Sequence, residues 1–230
     1  MSEQPTSGGH TAAGKEERTA ASSRRQGVVL VLCAPSGTGK STLVQRLVRD
    51  FPSFSFSISC TTREPRGQER DGVDYYFLTK EQFLERRERG EFAEWAEVHG
   101  NYYGTPLAPV REIVDRGGDV LFDIDVQGAM QLRESFPDGR YVFLFPPSRD
   151  ELQKRLRGRG TDSEEAMARR LANAVREMEA APQFDHWIVN RDLDRAYDEL
   201  RAVYLAGCSR PGQQPGLLRE VLDTFAGEDA

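Results

Sequence analysis

The sequence predicts an α/β fold: a parallel sheet with helices on both faces, a small inserted lobe and a helical lid. Three observations carry this expectation. Short apolar runs alternate with segments of helical period along most of the chain, a glycine-rich turn joins the first run to the first helix, and one stretch crowds aromatics and carboxylates together. Alternating strands and helices build parallel sheets, because a crossover must return the chain before the next parallel strand can start.

Composition sets the outer limits. The 230 residues are 30% charged and 38% hydrophobic, which fits a soluble globular chain long enough to bury a core. A net charge of −6 argues against nucleic acid or a membrane surface as partner, so any phosphate chemistry must come from locally clustered cations. Cys33, Cys60 and Cys208 lack paired or metal-type spacing, and His10, His99 and His186 are equally scattered, so no zinc site is indicated. There is no apolar signal segment and no run of about 18 apolar residues. A reduced, cytoplasmic protein is expected.

In chain order, Met1 to Gln26 is polar and small-residue-rich and is expected to be a disordered leader (1–26). Val28 to Leu32 reads as a buried strand, and Lys40 to Asp50, with Leu43, Val44, Leu47 and Val48 on one face, reads as a helix. Between them lies Cys33-Ala34-Pro35-Ser36-Gly37-Thr38-Gly39-Lys40-Ser41-Thr42. A glycine turn closing on Lys-Ser-Thr between strand and helix is a P-loop: its N–H groups and the helix N-terminus receive phosphates, and its lysine reaches the β- and γ-phosphates. Residues Ala34 to Thr42 are therefore the expected ATP-binding set, with the Ser41 hydroxyl as ligand for Mg²⁺. The consensus asks for glycine where Ala34 stands, the smallest departure available.

Downstream, Phe54, Phe56, Ile58 and Cys60 alternate with serines and read as one strand. Asp74 to Leu78 is a short apolar run, and Thr79 with Gln82 forms a capping box for a helix ending near Gly90. The aromatic and carboxylate stretch Glu91 to Thr105 precedes a helix from Pro106 to Gly117-Gly118. Val120 to Asp125 reads as a strand delivering carboxylates at its C-terminal end, where ligands sit in parallel sheets. A short helix over about Ala129 to Phe136 and a strand Tyr141 to Phe145 follow. Ser148 with Glu151 caps a helix expected to carry Arg155 and Arg159 one turn apart, Gly158 and Gly160 supply hinge chemistry, and Thr161 with Glu164 caps a helix bearing Arg169, Arg170 and Arg176. His186 to Asn190 is the last strand, and Ala196, Tyr197, Leu200, Val203 and Tyr204 line the last core helix. The expected organisation is a core at about 27–59 and 119–206, an inserted lobe at about 60–105, a lid at about 153–172 and an extension at 207–230. In that extension the amphipathic patch Leu217, Leu218, Val221, Leu222 and Phe225 is expected to dock on the domain, with another subunit as the alternative.

Six ordered motifs resemble the guanylate kinase family, from about Val28 to Ala206: the P-loop; Ser59-Cys60-Thr61-Thr62-Arg63-Glu64-Pro65-Arg66; Asp74-Tyr75; Glu94-Trp95-Ala96 with Gly100-Asn101-Tyr102-Tyr103-Gly104-Thr105; Asp123-Ile124-Asp125-Val126-Gln127-Gly128; and Arg157-Gly158-Arg159-Gly160. The resemblance implies that Arg63, Arg66, Tyr75 and Tyr103 hold the phosphate of GMP. Two guanidinium forks and two phenols suit a dianion. It further implies that Glu94 reads the N1 and N2 donors of guanine, with Ser59 and Thr105 completing the edge. Asp123 is expected at the nucleotide or at magnesium-bound water, Asp125 less so. Lys40, Arg155, Arg159 and Arg170 are expected to share the charge of the transferred phosphoryl group. A phosphate acceptor is already largely ionised at neutral pH, so no general base is expected. Asn190 and Arg157 are candidates for contact with adenine.

The activity implied is ATP-dependent, Mg²⁺-dependent phosphorylation of GMP (or dGMP) in purine nucleotide metabolism, with ATP and GMP as the partners and the choice between monomer and homo-oligomer open. Two rivals remain at this point. A non-catalytic guanylate-kinase-like binding module would typically have lost Lys40, Ser41, Arg63, Arg66, Arg155 or Arg159, all of which are present. A P-loop kinase for another small phosphorylated substrate would not need Glu94, Ser59 and Thr105.

Overall fold

The computed structural model describes residues 25–55, 57–158 and 163–226. Its core is a five-stranded parallel sheet, made of β1 (Val29–Cys33), β2 (Phe54–Ser55), β7 (Asp119–Asp123), β8 (Arg140–Phe145) and β9 (His186–Val189) in the order β2-β7-β1-β8-β9. Side chains of a strand alternate between faces, so a strand covered on both sides must be apolar throughout. β1 obeys this rule: Leu30 and Leu32 join one hydrophobic cluster while Val29, Val31 and Cys33 join the other. β8 divides in the same way, Val142 and Leu144 against Tyr141 and Phe143. The first cluster is closed by α1 (Lys40–Asp50) through Leu43 and Leu47 and by α7 (Leu193–Cys208) through Ala196, Tyr197, Leu200 and Tyr204. The second is closed by α3 (Leu107–Asp115) through Val110 and by α4 (Val126–Ser135) through Ala129 and Leu132.

A second sheet of four strands forms the inserted lobe: β3 (Cys60–Thr61), β4 (Tyr76–Phe77), β5 (Phe92–Val98) and β6 (Asn101–Pro106), in the order β4-β3-β6-β5. β5 and β6 form an antiparallel hairpin, and β3 runs parallel to β4. Helix α2 (Lys80–Glu88) plugs the lobe with the fully buried Phe83, stacked on Phe92 with centroids 4.4 Å apart. Its capping box forms as expected, with Thr79 Oγ1 accepting from the Gln82 N–H and the Gln82 side chain accepting from the Thr79 N–H. The lid pair, α5 (Arg149–Arg157) and α6 (Glu164–Glu179), closes on Leu152, Leu156, Met167, Leu171 and Ala174.

Several expectations need correction. The run from Phe54 to Cys60 is not one strand: Phe54–Ser55 belongs to the core sheet and Cys60–Thr61 to the lobe, with the chain crossing between sheets over the serines. β7 stops at Asp123, and Asp125 instead caps α4, accepting from the Gly128 N–H at 2.8 Å, so that helix starts at Val126 rather than near Ala129. α5 ends at Arg157, and the expected positions Arg159, Gly160 and Thr161 lie outside the described residues. Gly158 has an ordinary right-handed φ of −67°, so no glycine-specific turn is present there. The cap of α6 is Ser163, whose hydroxyl accepts from the Ala166 N–H. Ser148 caps α5 as expected, but the Glu151 carboxylate bonds Arg155.

The folded chain also begins earlier than expected. Arg25 donates through both Nη atoms to the buried Asp119 at 2.9 and 2.8 Å, and the Gln26 N–H bonds Gln213 O at 2.8 Å. The rest of the expected leader lies outside the described residues. At the other end, α8 (Leu217–Ala226) buries no residue, and Leu218 and Phe225 are 73% and 72% exposed, so the expected docking onto the domain does not occur. No described helix is long and apolar enough to cross a membrane.

Candidate functional site

The C-terminal end of β1 opens into a cavity of about 420 Å³ lined by residues 34 to 41 together with Asp123, Ile124, Asp125 and Glu177. Two positions in this loop require glycine: Gly37 and Gly39 have φ of 88° and 99°, in the left-handed region that side chains disfavour. Ala34 has no such requirement, because His99 alone has positive φ among the described non-glycine residues. The loop is braced from within and behind. Thr38 Oγ1 donates to Pro35 O at 2.7 Å, and the buried Asn190 donates through Nδ2 to Thr38 O at 2.7 Å. A Cβ at Gly39 would stand 2.5 Å from that same Nδ2. Asn190 therefore shapes the loop, a different use from the expected contact with adenine.

Lys40 points into the cavity, paired with Asp123 and 3.5 Å from Ile124 O. Ser41 sits in the first turn of α1 and lines the cavity; Thr42 is exposed and is not among the lining residues. Arg155 reaches the loop from α5: Nη1 donates to Thr38 O at 3.2 Å, Nη2 to Asn190 O at 3.4 Å and Nε to Glu151 at 3.0 Å. Arg170 is exposed on α6 and is not among the lining residues. Arg157 lines a separate cavity between α5 and α6. Glu177, which sequence reasoning missed, enters the phosphate cavity from α6. Burial pushes its carboxyl above the ordinary glutamate value against the pull of Lys40. No local sequence signal marks it.

The lobe gathers the second group. Arg63 follows β3, its guanidinium 5.5 Å from the Tyr75 ring centroid, and Tyr75 meets Tyr103 edge-on at 6.2 Å. Glu69 was also missed: both its oxygens accept from Arg63 Nη2 at 3.0 Å, and Oε2 takes the Arg66 N–H at 2.8 Å. This carboxylate fixes the Arg63 guanidinium beside Tyr75. Arg66 itself is exposed on the same loop. Ser59 precedes β3, half-buried, and its carbonyl accepts from the Tyr76 N–H at 2.9 Å.

Glu94 and Thr105 face each other across the hairpin, with the Thr105 hydroxyl donating to Glu94 Oε1 at 2.5 Å. Burial raises the Glu94 carboxyl above its ordinary value, Asp125 adds to the rise, and the Thr105 hydroxyl opposes it. The adjacent residue, Trp95, is bound to α4 by a double amide: its N–H donates to Gln131 Oε1 and its carbonyl accepts from Gln131 Nε2, each at 2.9 Å. This fixes the base of the hairpin on the core. As a result Glu94 lies against the N-terminus of α4, whose capping residue Asp125 also lines the phosphate cavity. Asp123 and Asp125 thus stand on the phosphate side, while Ser59, Glu94 and Thr105 belong to the lobe.

Comparison with known proteins follows this geometry. The guanylate kinase family model matches residues 26–206, most of the chain. The chain belongs to the guanylate kinase family. It is 66% identical over 181 residues to a guanylate kinase of Nitratidesulfovibrio vulgaris, covering 79% of this chain and 87% of that one. It is 59% identical over 201 residues to one from Oleidesulfovibrio alaskensis, covering 87% and 98% respectively. The crystal structure of guanylate kinase from Anaplasma phagocytophilum shares 34% identity at a TM-score of 0.62, covering 87% of this chain and 96% of that one. Membership of the guanylate kinase family agrees with the parallel core, the phosphate loop and the inserted lobe.

Proposed function

We propose that this chain is a guanylate kinase, transferring the γ-phosphoryl group of ATP to GMP to give ADP and GDP. The observation that supports the reading is that α4 touches both groups of residues, the loop cavity with Lys40 through its cap Asp125 and the lobe through Gly128 against Glu94, where Arg63, Tyr75 and Tyr103 stand with the Glu94–Thr105 pair. A phosphate loop alone would fit any kinase of this architecture. The half-buried carboxylate at the end of the phosphate clamp supplies the base choice.

ATP phosphates would occupy the loop N–H groups and the N-terminus of α1. Lys40 would exchange Asp123 for the β- and γ-oxygens, and Arg63 would exchange Glu69 for the phosphate of GMP. Both cations are already held in place by carboxylates, so little side-chain freedom remains to be lost on binding. Arg155, fixed to Thr38 and Asn190, keeps the loop and lid in register. No residue need act as base, since the attacking phosphate oxygen carries its own charge.

Mg²⁺ fits the donor set through Ser41, with Asp123, Asp125 and Glu177 lining the same cavity. Mg²⁺ keeps several waters and reaches such a site on phosphates, so it needs only one or two protein ligands. When bound it would neutralise charge on the transferred group. A coupled assay of ADP formation with GMP, dGMP, IMP and AMP tests the function: turnover with GMP is expected, and GMP binding without any turnover would make the chain a binding module instead.

A further inference from the structure

Gly128 is the third residue of α4, and it is buried against Glu94. A Cβ placed on it would stand 3.3 Å from Glu94 Oε2, 3.4 Å from Ile124 Cδ1 and 3.5 Å from Asp125 Oδ1. Its φ is not among the positive values, so the backbone does not require glycine there. Helix propensity would favour alanine, because glycine loses more backbone freedom on folding than any other residue. Local structure therefore gives no reason for glycine at this position, whereas the carboxylate does. Glu94 Oε1 is held by the Thr105 hydroxyl at 2.5 Å, and Oε2 is the oxygen that faces Gly128.

We propose that Gly128 is a base-selectivity determinant: its missing side chain lets Glu94 keep both oxygens where they accept the N1 and N2 donors of guanine. This rests on the reading of Glu94 as the base-recognising carboxylate. A methyl group at 128 pushes Oε2 by a few tenths of an ångström while Oε1 stays tied to Thr105. The carboxylate then tilts, and one of its two hydrogen bonds to the base lengthens. The other neighbours of the added methyl, Ile124 Cδ1 and Asp125 Oδ1, sit at ordinary van der Waals distance, so the strain falls on Glu94. Gly128 acts through Glu94 and touches no reacting atom; it is a positioning residue.

IMP keeps the N1 donor and lacks the N2 amine, which makes the ratio of kcat/KM for GMP over IMP the direct readout. Gly128→Ala is expected to lower that ratio about fivefold or more, to leave KM for ATP unchanged, and to melt at or above the wild-type temperature because alanine is the better helix former. A simple loss of structure would lower the melting temperature and spare the ratio. Gly128→Ser, with a side chain of similar bulk, should give the same loss of selectivity. Glu94→Gln is measured in parallel. If it lowers the ratio and neither Gly128 variant does, the inference about Gly128 is overturned and the reading of Glu94 stands. If Glu94→Gln leaves the ratio unchanged, the reading of Glu94 falls and takes this inference with it. If both Gly128 variants melt well below wild type, the added atoms displace more than the carboxylate, which also overturns it.

Discussion

Lys40 and Asp123 are paired in the phosphate cavity, and the pair explains why the lysine is extended toward the ligand position before any ligand arrives. Replacing Lys40 by Ala removes a phosphate-directed charge and little packing. Turnover should fall by roughly a hundredfold or more with an unchanged melting temperature; near-normal turnover would place the nucleotide elsewhere. Asn190 invites a different test. Asn190→Ala removes the 2.7 Å donor to the Thr38 carbonyl and leaves Arg155 Nη1 at 3.2 Å as its partner, so stability should fall by about 0.5–1.5 kcal/mol in urea unfolding, with a rise in KM for ATP larger than that for GMP. Asp119 sets the acid limit. Burial alone would raise its carboxyl, but the Arg25 guanidinium, the Tyr204 hydroxyl at 2.7 Å and the Val28 N–H at 2.8 Å outweigh that and hold it below the ordinary carboxylate range. A group lowered on folding contributes stability that is full above its unfolded value, about 3.9, and is lost as pH falls through its folded value. Asp119→Asn should therefore flatten the acid limb of stability against pH, and an unchanged limb would assign acid unfolding to other carboxylates. The brace from Asn190, Glu177 and the Arg25–Asp119 pair were not legible in the sequence, because each matters through a partner distant in the chain; Glu69 lies within six residues of Arg63 but stands in a polar loop where no periodic or capping signal marks it. Lys40, Ser41 and the capping pair Thr79 and Gln82 were legible, because their signals are local.

At the scale of elements, the strands with two covered faces were readable from continuous apolar runs, and the crossover at 54–60 was not. Alternation of Phe, Ile and Cys with serine persists through it, although Phe54 pairs with the core sheet and Cys60 with the lobe. Periodicity reports which side chains are buried, not which sheet buries them. Helix α8 was also readable as amphipathic, but its apolar stripe has no partner among the described residues. Ending the chain at Gly216 removes no buried residue, so the unfolding free energy should change by no more than about 0.5 kcal/mol. A larger loss would show that the stripe is covered in solution. Cutting into α7 should behave in the opposite way, since Tyr204 and Gly207 are buried there and Tyr204 packs edge-on to Phe51 at 4.8 Å.

On the scale of the whole molecule, the lobe is fixed to the core through its edge strand β5. The Trp95–Gln131 double amide holds β5 on α4, while the clamp residues Arg63, Tyr75 and Tyr103 lie beyond it toward β4. Arg66 and Arg170 are exposed, on the lobe and on α6. For cations from both to reach one transferred group the two bodies must approach, so scattering from the protein with GMP and a non-hydrolysable ATP analogue should give a smaller radius of gyration than the free protein. Superposable profiles would argue that the site is already assembled. Whether the half-buried Glu94 carboxylate chooses the base is decided by kcat/KM for GMP and AMP in the wild type and in Glu94→Gln. Adenine presents an acceptor at N1 where guanine presents a donor, and a site built to hydrogen-bond a missing group rejects the analogue by roughly 10⁴ to 10⁵. A GMP preference of that order is expected in the wild type and a much smaller one in Glu94→Gln; comparable values for the two nucleotides, or a preference untouched by the substitution, would remove Glu94 from base recognition.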